Sequence, residues 1–237
     1  MSMKPVTLGQ VTQIRKMAVE KGIARDVFQI RLDDGTFAKF LDSLRPPVGD
    51  LARWSDNYYK LFNQRPDLSR LCIPAKPEGV GPMRLIVVAQ ELGEWSGKNH
   101  GPLQGVMETL KEKFACWQYA NDLDADIPTN DRGPENGSYA VWVRDVREAD
   151  EEFADKSAND LKAAGHLGIT ILERQLFEWD YYSERGEHLD QENVTLCTGS
   201  RARDGYVSGA RWRSGFSVGW FDARDRNPSL RSRRVWV

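Results

Sequence analysis

Residues 204–221 read DGYVSGARWRSGFSVGWF, and this stretch sets the fold of the C-terminal part of the chain. After an Asp-Gly turn signal, large apolar residues recur at alternate positions, among them Val218 and Trp220. Alternation at period two predicts half-buried β-strands, here over residues 206–213 and 216–221. We therefore expect two strands, separated by a Gly-containing turn, with one face packed and the other open.

The residue types missing from the tail, residues 193–237, are as informative as those present. Glu192 is the last Lys, Glu, Gln or Met of the chain: these types fill 40 of the first 192 positions and none of the final 45. None of the four can be encoded by a codon that ends in C or T. A Gly-rich β segment that disfavours long helix formers is an alternative explanation. Arg is abundant in the tail while Lys is absent. We therefore favour the explanation that many tail codons were randomised at their first two bases while the third base stayed a pyrimidine.

Tryptophan separates the fixed positions of the tail from the variable ones. Trp also has no pyrimidine-ended codon, so the three tail tryptophans should be fixed. The other face of the strands carries side chains with no common property, namely Arg211, Arg213, Ser217, Gly219 and Phe221. An ordinary sheet with a solvated outer face also explains the alternation, but it does not explain the missing residue types. We therefore assign a constant scaffold behind a variable surface, with Trp212, Val218, Trp220 and Trp236 as the scaffold.

The middle of the chain mixes helices and strands. Apolar residues at helical spacing predict amphipathic helices over residues 102–114 and 169–185. Alternation predicts strands over residues 83–89 and 138–144, and the Pro, Asn, Asp and Gly of residues 127–137 predict a loop. Helices in the middle followed by a β-rich end favour an α+β fold over alternating parallel units.

Composition divides the chain into three parts. Residues 1–48 carry apolar side chains at helical spacing and end at Pro46-Pro47, which predicts a small helical unit. Residues 49–82 are loop-rich and predict a linker with one short aromatic helix. Residues 83–237 form the third and largest part, a single predicted domain. The acidic run at 148–155 is typical of a solvated helix start.

The charge of the tail offers a competing function. From residue 199 onward, nine arginines face three aspartates, a net charge of +6 in a chain whose overall charge is −2. A basic, aromatic segment is compatible with nucleic-acid binding, although Arg is also favoured at protein-binding surfaces. Three aspartates interrupt the basic segment, and no lysine follows Lys162. We therefore expect no nucleic-acid partner.

One motif indicates an enzymatic function, an alternative that we rank below nucleic-acid binding. Cys197 and Arg203 have the C-x5-R spacing of cysteine-dependent phosphatases, which place a helix after the Arg to stabilise thiolate and phosphate. Here a turn and a strand follow Arg203 instead. Three widely spaced cysteines do not indicate disulfides or a zinc site, and the three histidines lack metal-ligand spacing. We therefore predict no catalytic residues, no metal and no cofactor.

Hydropathy bears on localisation. The longest apolar run, residues 85–89, is too short to span a bilayer, and the N-terminal residues lack the apolar core of a secretory signal. We therefore expect no membrane span and take the cytoplasm as the default compartment. Surface display by another route stays open.

Short pieces of the sequence, taken in order, match one known family. They are Leu189-Asp190, Thr195-Leu196-Cys197, Gly199-Ser200-Arg201, Asp204-Gly205, Val207, Trp212, Val218, Trp220, Leu230-Arg231 and Arg233, with residues 128–132, 142–145 and 157–161 upstream. From about residue 83 to its end, the chain resembles the variable proteins of diversity-generating retroelements. It departs from them at Ser208, where the family has Pro, and at Ala210, where a Val is usual.

The resemblance implies a mechanism for the missing residue types. In that family a reverse transcriptase copies a template with errors at adenines, so that AAC and AAT codons become any pyrimidine-ended codon. The family has a C-type lectin-like fold whose last strands and loops display the variable residues, here about residues 201–233. Its activity is ligand binding, usually of a protein.

The candidate ligand-binding residues follow from this resemblance and from the alternation. Arg, Tyr and Phe would supply anchors, and the small residues would shape the surface. The candidates are Ala202, Arg203, Tyr206, Gly209, Arg211, Arg213, Ser214, Phe216, Ser217, Gly219, Phe221, Asp222, Arg224, Asp225 and Arg226.

Overall fold

The computed structural model describes residues 49–97 and 100–237, so the predicted helical unit of residues 1–48 lies outside the described residues. The helices are α1 (Asp50–Phe62), α2 (Leu92–Trp95), α3 (Pro102–Lys111), α4 (Leu123–Asp126), α5 (Ala158–Ala163) and α6 (Ile171–Arg185). The strands are β1 (Met83–Val88), β2 (Cys116–Gln118), β3 (Thr129–Asn130), β4 (Tyr139–Arg144), β5 (Val194–Leu196), β6 (Ser200–Arg201), β7 (Val207–Trp212), β8 (Phe216–Phe221) and β9 (Leu230–Ser232).

The strands form three sheets, the largest of which contains most of the tail. Its order is β2-β8-β7-β5-β9, with antiparallel pairs in the middle and parallel pairs at both edges. β1 pairs with β4 and β3 with β6 in two antiparallel ladders. The chain after β9 returns to β4, where Trp236 and Trp142 exchange two backbone hydrogen bonds of 2.9 and 3.0 Å. The fold is thus mixed α+β, as the sequence predicts.

Helix α6 lies at the centre of the molecule. Its start is fixed by a capping box, in which the Thr170 hydroxyl accepts from the Glu173 amide and the Glu173 carboxylate accepts from the Thr170 amide. Its end is fixed by Gly186, which has the left-handed φ of 69° that glycine adopts without strain. Every residue from Ile171 to Tyr181 is buried, including five charged or amide side chains.

These buried polar side chains of α6 are each met by partners from other segments. Arg174 donates to Asp190 (2.9 Å) and to Glu178 (2.8 Å), and Arg233 from the tail donates to Asp190 (2.7 Å). Arg132 forms the same kind of pair with Glu173 at 2.7 Å. Because a buried charge is costly unless it is paired, these contacts tie the tail and the loops to α6.

The two faces of the five-stranded sheet meet different surroundings. One face, which includes Ala210, Phe216 and Val218, packs on the main core with α6. Part of the other face is covered by a second, smaller core, where Val207 lies with Leu196, Leu230 and Ala158 of α5. The part of this second face that α5 does not cover is the region of functional interest.

Helix α1 belongs to the main core, although it lies within residues 49–82, the segment expected to be a linker. Trp54 and Tyr58 are fully buried, and they donate to the carbonyl oxygens of Leu85 (2.7 Å) and Val87 (2.8 Å) on β1. Residues from 49 onward therefore pack as one compact unit.

Most of the predicted elements are present, with a few local differences. β1, β4, β8, α3 and α6 lie where the periodicity predicts them. The acidic run at 148–155 forms only a 3₁₀ turn at Glu151–Phe153; α5 begins later, behind the Ser157 cap. None of the helices that the structure describes is both long and apolar enough to cross a membrane.

Candidate binding surface

The uncovered part of the second sheet face brings three of the predicted residues together with two that were not predicted. β7 and β8 bring Arg211, Ser217 and Gly219 to this face, and the edge strand β2 adds Trp117, followed by Tyr119. We call these five residues the open face. In the register of the sheet, Arg211 lies opposite Ser217, and Ser217 opposite Trp117, so the three form one row across three strands.

Thirteen of the fifteen candidates are exposed or half-buried. Arg203, Tyr206, Arg213, Ser214, Arg224, Asp225 and Arg226 are exposed, and Ala202, Arg211, Ser217, Gly219, Phe221 and Asp222 are half-buried. The exposed turns at both ends of β7 and β8 thus carry most of the predicted surface.

Two candidates are wrongly assigned to the surface. Phe216 is fully buried in the main core, where the Arg174 guanidinium lies 5.4 Å from its ring centre. Phe216 lies two residues before Val218 in β8, so the alternation of the strand puts both side chains on the packed face. Gly209 is buried because the ring of Phe221 covers it, and Val194 closes the site from the next strand.

The scaffold tryptophans are half-buried rather than buried. Trp212 and Trp220 both pack against the main core, as expected for the constant face. The ring of Trp212 stacks on His188, with the ring planes 4° apart, and meets Phe114 edge to face at 5.5 Å. Trp236 is also half-buried and packs against the same core, while Val218 is buried. Trp220 has a second role, since its exposed part lines a surface groove.

Gly209 and Gly219 are direct cross-strand partners on the same sheet face and give a matched test of this surface. A Cβ atom at residue 209 would overlap the Phe221 ring and lie 2.9 Å from Cγ1 of Val194, whereas at residue 219 it would meet no atom within 4 Å. We expect Gly209→Asn to lower the free energy of unfolding by about 1–3 kcal/mol through overpacking. Gly219→Asn should change it by less than about 0.5 kcal/mol.

Urea unfolding of the two variants measures this difference. Adding Phe221→Ala should recover part of the loss in Gly209→Asn and should not stabilise Gly219→Asn. Equal losses at the two glycines would show that the covered and open parts of this face are wrongly assigned.

A groove of about 370 Å³ adjoins the open face. The turn at residues 202–206 forms one wall, with Ala202, Arg203 and Asp204, and Tyr119 and Trp220 form the other. The turn is held by its backbone, since the Arg203 amide donates to the carbonyl oxygen of Asp126 at 3.2 Å, and the Arg203 side chain adds a bond from Nε to the carbonyl oxygen of Ala125 at 2.7 Å. The groove therefore joins positions that are predicted to vary, in the turn, to the aromatic rings of Tyr119 and Trp220.

The loop after β8 is held by ion pairs rather than left free. Arg224 pairs with Asp222 at 2.7 Å, and Arg226 pairs with Asp160 of α5 at 2.7 Å. Hydrogen bonds from these guanidinium groups lower the pKa of Asp222 and of Asp160 to about 2. Each of these two arginines thus has a carboxylate partner within the chain.

Arg211 and Arg213 differ from the other tail arginines. Within the part of the chain that the structure describes, neither guanidinium group forms an ion pair or a hydrogen bond. Partial burial, and then the neighbouring Arg213 guanidinium, hold the pKa of Arg211 below its ordinary value. Since an arginine stays charged in proteins, the surface presents two close positive charges without an internal counter-charge.

Trp117 and Tyr119 are surface residues that the local sequence pattern does not predict. Both are strongly exposed, Trp117 by 55% and Tyr119 by 70%. Their rings meet edge to face, with centres 5.9 Å apart and planes at 74°. A strand of three residues is too short for a period-two signal, and its parallel pairing with β8 joins segments about a hundred residues apart.

The cysteine of the C-x5-R motif lacks the environment of a nucleophile. Cys197 is completely buried, and this burial raises the pKa of its thiol to about 12. Arg203 is exposed and bonded to a carbonyl oxygen, and a β-strand follows it. The reactive thiolate of a phosphatase needs a lowered pKa. Within the described ranges, no three His, Cys, Asp or Glu side chains come together as a metal site.

No protein-family model, curated protein or solved structure gives a significant match to the chain.

Proposed function

We propose that this protein binds a ligand, most simply another protein, through a C-terminal surface that a retroelement diversifies. The observation that carries the proposal is a correspondence between two properties of the tail residues. One is whether a residue type can be encoded by a codon ending in C or T, and the other is the face of the sheet on which the residue lies. On the packed face lie Trp212 and Trp220, which no pyrimidine-ended codon can encode. The uncovered positions of the tail carry Arg, Ser and Gly, which such codons can encode.

The packing explains why this surface would tolerate variation. β7 and β8 are held from behind by the main core and at one end by the second core, so their backbone does not depend on the uncovered side chains. A Cβ atom at Gly219 would meet open space. Surface substitutions away from packed groups change stability by less than about 0.5 kcal/mol. Such a surface can change its chemistry while the fold is kept.

The C-type lectin-like identity of the domain is part of the proposal. It is supported by the mixed α+β architecture and by the gathering of the last strands in one sheet, next to the exposed turns. The bridge between Trp142 and Trp236 also brings the chain end back to the middle of the domain. The family resemblance of the sequence supplies the rest.

Nucleic-acid binding, the competing function, has less support from the positions of the arginines. Of the nine in the basic segment, Arg224, Arg226 and Arg233 are paired with aspartates. Arg201 donates to two backbone carbonyl oxygens. Affinity for nucleic acid grows with the number of phosphates neutralised. Since so many of the arginines already have partners, a phosphate-tracking surface is disfavoured.

A displayed library tests the proposed function. Pyrimidine-ended codons would be randomised at eight uncovered positions, namely Ala202, Arg203, Tyr206, Arg211, Arg213, Ser214, Ser217 and Gly219. We expect most members to stay protease-resistant, because these side chains contribute little to stability, and binders to an unrelated protein such as lysozyme to be selectable.

The control library would randomise Ser208, Ala210, Phe216 and Val218, which face the main core. Most of its members should be degraded, since large changes in a core cost about 2–5 kcal/mol. Equal survival of the two libraries, or a surviving first library that yields no binders, would contradict the proposed function.

A further inference from the structure

Trp117 and Tyr119 lie outside the tail and are not subject to its restriction of residue types. Gln118, which lies between them, is one of the types that the tail lacks. Trp117 itself has no pyrimidine-ended codon. Under the proposed function we therefore expect the ring pair to be constant, although Trp117 lies in the same row of the sheet as positions expected to vary.

The ring pair has the features of a binding anchor. Tyr and Trp dominate the energetics of protein interfaces, because they bring large contact areas with few rotatable bonds. Within the described part of the chain, each ring packs on the other while most of its surface faces outward. The pair therefore exposes a large apolar area while contributing little to the stability of the fold.

The row across the sheet forms a slot beside this anchor. Adjacent strands lie about 4.8 Å apart, so Trp117 and Arg211 are separated by roughly 10 Å, with only Ser217 between them. Ser217 and Gly219 form the bottom of this slot, and because both residues are small they leave it open. The slot thus has an aromatic wall on one side and a cationic wall on the other, and it is one strand wide.

The charge of the slot indicates what would fill it. Partial burial and, after it, repulsion from the Arg213 guanidinium lower the pKa of Arg211, and neither arginine has a carboxylate partner in the described residues. A carboxylate from another molecule would relieve this repulsion and could accept bidentate hydrogen bonds. Electrostatic complementarity of this kind guides partner choice.

We propose that the open face and the adjacent Arg213 together bind an acidic segment of a protein partner, with Trp117 and Tyr119 as a constant anchor and with Arg211 and Arg213 as the charged contacts. This inference rests on the proposed ligand-binding function and names the chemistry of the partner. The rings pack edge to face, so a base stacked on one would meet the edge of the other, unlike the successive stacking that single-stranded nucleic acids use.

Peptide selection tests this inference on the full chain. A random 12-residue phage library would be selected against the protein, and the enriched peptides would be synthesised and their affinities measured by fluorescence anisotropy. We expect enriched peptides that contain Asp or Glu next to an apolar residue. Their affinity should fall by at least about tenfold in Trp117→Ser/Tyr119→Ser and in Arg211→Ser/Arg213→Ser.

The matched control is Tyr59→Ser/Arg70→Ser, which removes an exposed aromatic ring and an exposed arginine from outside the open face. It should change the affinity by less than about twofold. Thermal melting of all three double variants should match that of the parent, because the altered side chains are exposed or half-buried. A variant that melts early would be replaced by Trp117→Phe/Tyr119→Leu or by Arg211→Gln/Arg213→Gln.

Several outcomes would overturn the inference. Enriched peptides without acidic residues would show that the occupant is not acidic. Sub-micromolar, salt-sensitive binding of an oligouridine would indicate nucleic acid instead. Acidic peptides whose affinity falls on substitution of Arg203 and Tyr206, but not of the ring pair, would show that Trp117 and Tyr119 are not the anchor. The proposed ligand-binding function would be unaffected by that result. Peptides insensitive to every substitution in the tail would contradict both.

Discussion

Asp190→Ala should lower the free energy of unfolding by about 3–5 kcal/mol, because it leaves two buried guanidinium groups without their shared carboxylate. Asp190 is fully buried and accepts from Arg174 at 2.9 Å, from Arg233 at 2.7 Å and from the Thr195 hydroxyl at 2.6 Å. It thereby joins α6, β5 and the end of the tail. Urea unfolding followed by circular dichroism measures the change.

Two further variants separate the charge of Asp190 from its backbone conformation. Asp190 has a φ of 53°, a left-handed conformation that Asn tolerates well and Ala does not. Asp190→Asn keeps the conformation and loses the charge, so it should recover only part of the stability. Asp225→Ala, at an exposed aspartate, should cost less than about 0.5 kcal/mol. A loss below about 1 kcal/mol in Asp190→Ala would show that the buried arginines do not depend on this carboxylate.

Trp212→Ala should lower the free energy of unfolding by about 3 kcal/mol or more, although the ring is only half-buried. The ring closes an aromatic cluster: it stacks on His188, which in turn stacks on Tyr182 at 4.5 Å, and it meets Phe114 edge to face. Removing it opens a cavity on the packed face of the sheet.

Arg211→Ala is the matched control for Trp212→Ala, because it lies at the preceding position of β7 and faces the other way. It should change stability by less than about 0.5 kcal/mol. Similar losses in the two variants, measured by urea unfolding, would show that the two faces are assigned in reverse.

Local periodicity predicts the elements that carry the surface, but not everything that covers them. The alternation in the tail gives β7 and β8 and the packed face of Val218. It cannot show that α5 and β9 form a second core over Val207, because this packing depends on contacts between distant segments. For the same reason it places Gly209 on the surface, although Phe221 and Val194 cover it.

Charged residues mislead a sequence-based analysis in another way. Glu173, Glu178 and Asp180 of α6 have the composition of a solvated helix face, yet all three are fully buried. Their partners include Arg132, His188 and Arg84, which come from other segments of the chain. Nothing in the spacing of α6 indicates these partners. The anchor residues Trp117 and Tyr119 escape detection similarly, since their strand has only three residues.

The most direct test of a diversified binding surface is the DNA sequence of the 3′ end of the gene and its surroundings. The informative positions have both purine-ended and pyrimidine-ended codons available, and include Arg203, Arg211, Arg213, Ser214 and Gly219. We predict that the codons at these positions end in C or T. We also predict a near-copy of this DNA segment close to the gene, with adenines at the sites of these codons. Purine-ended codons at most of these positions would contradict the account.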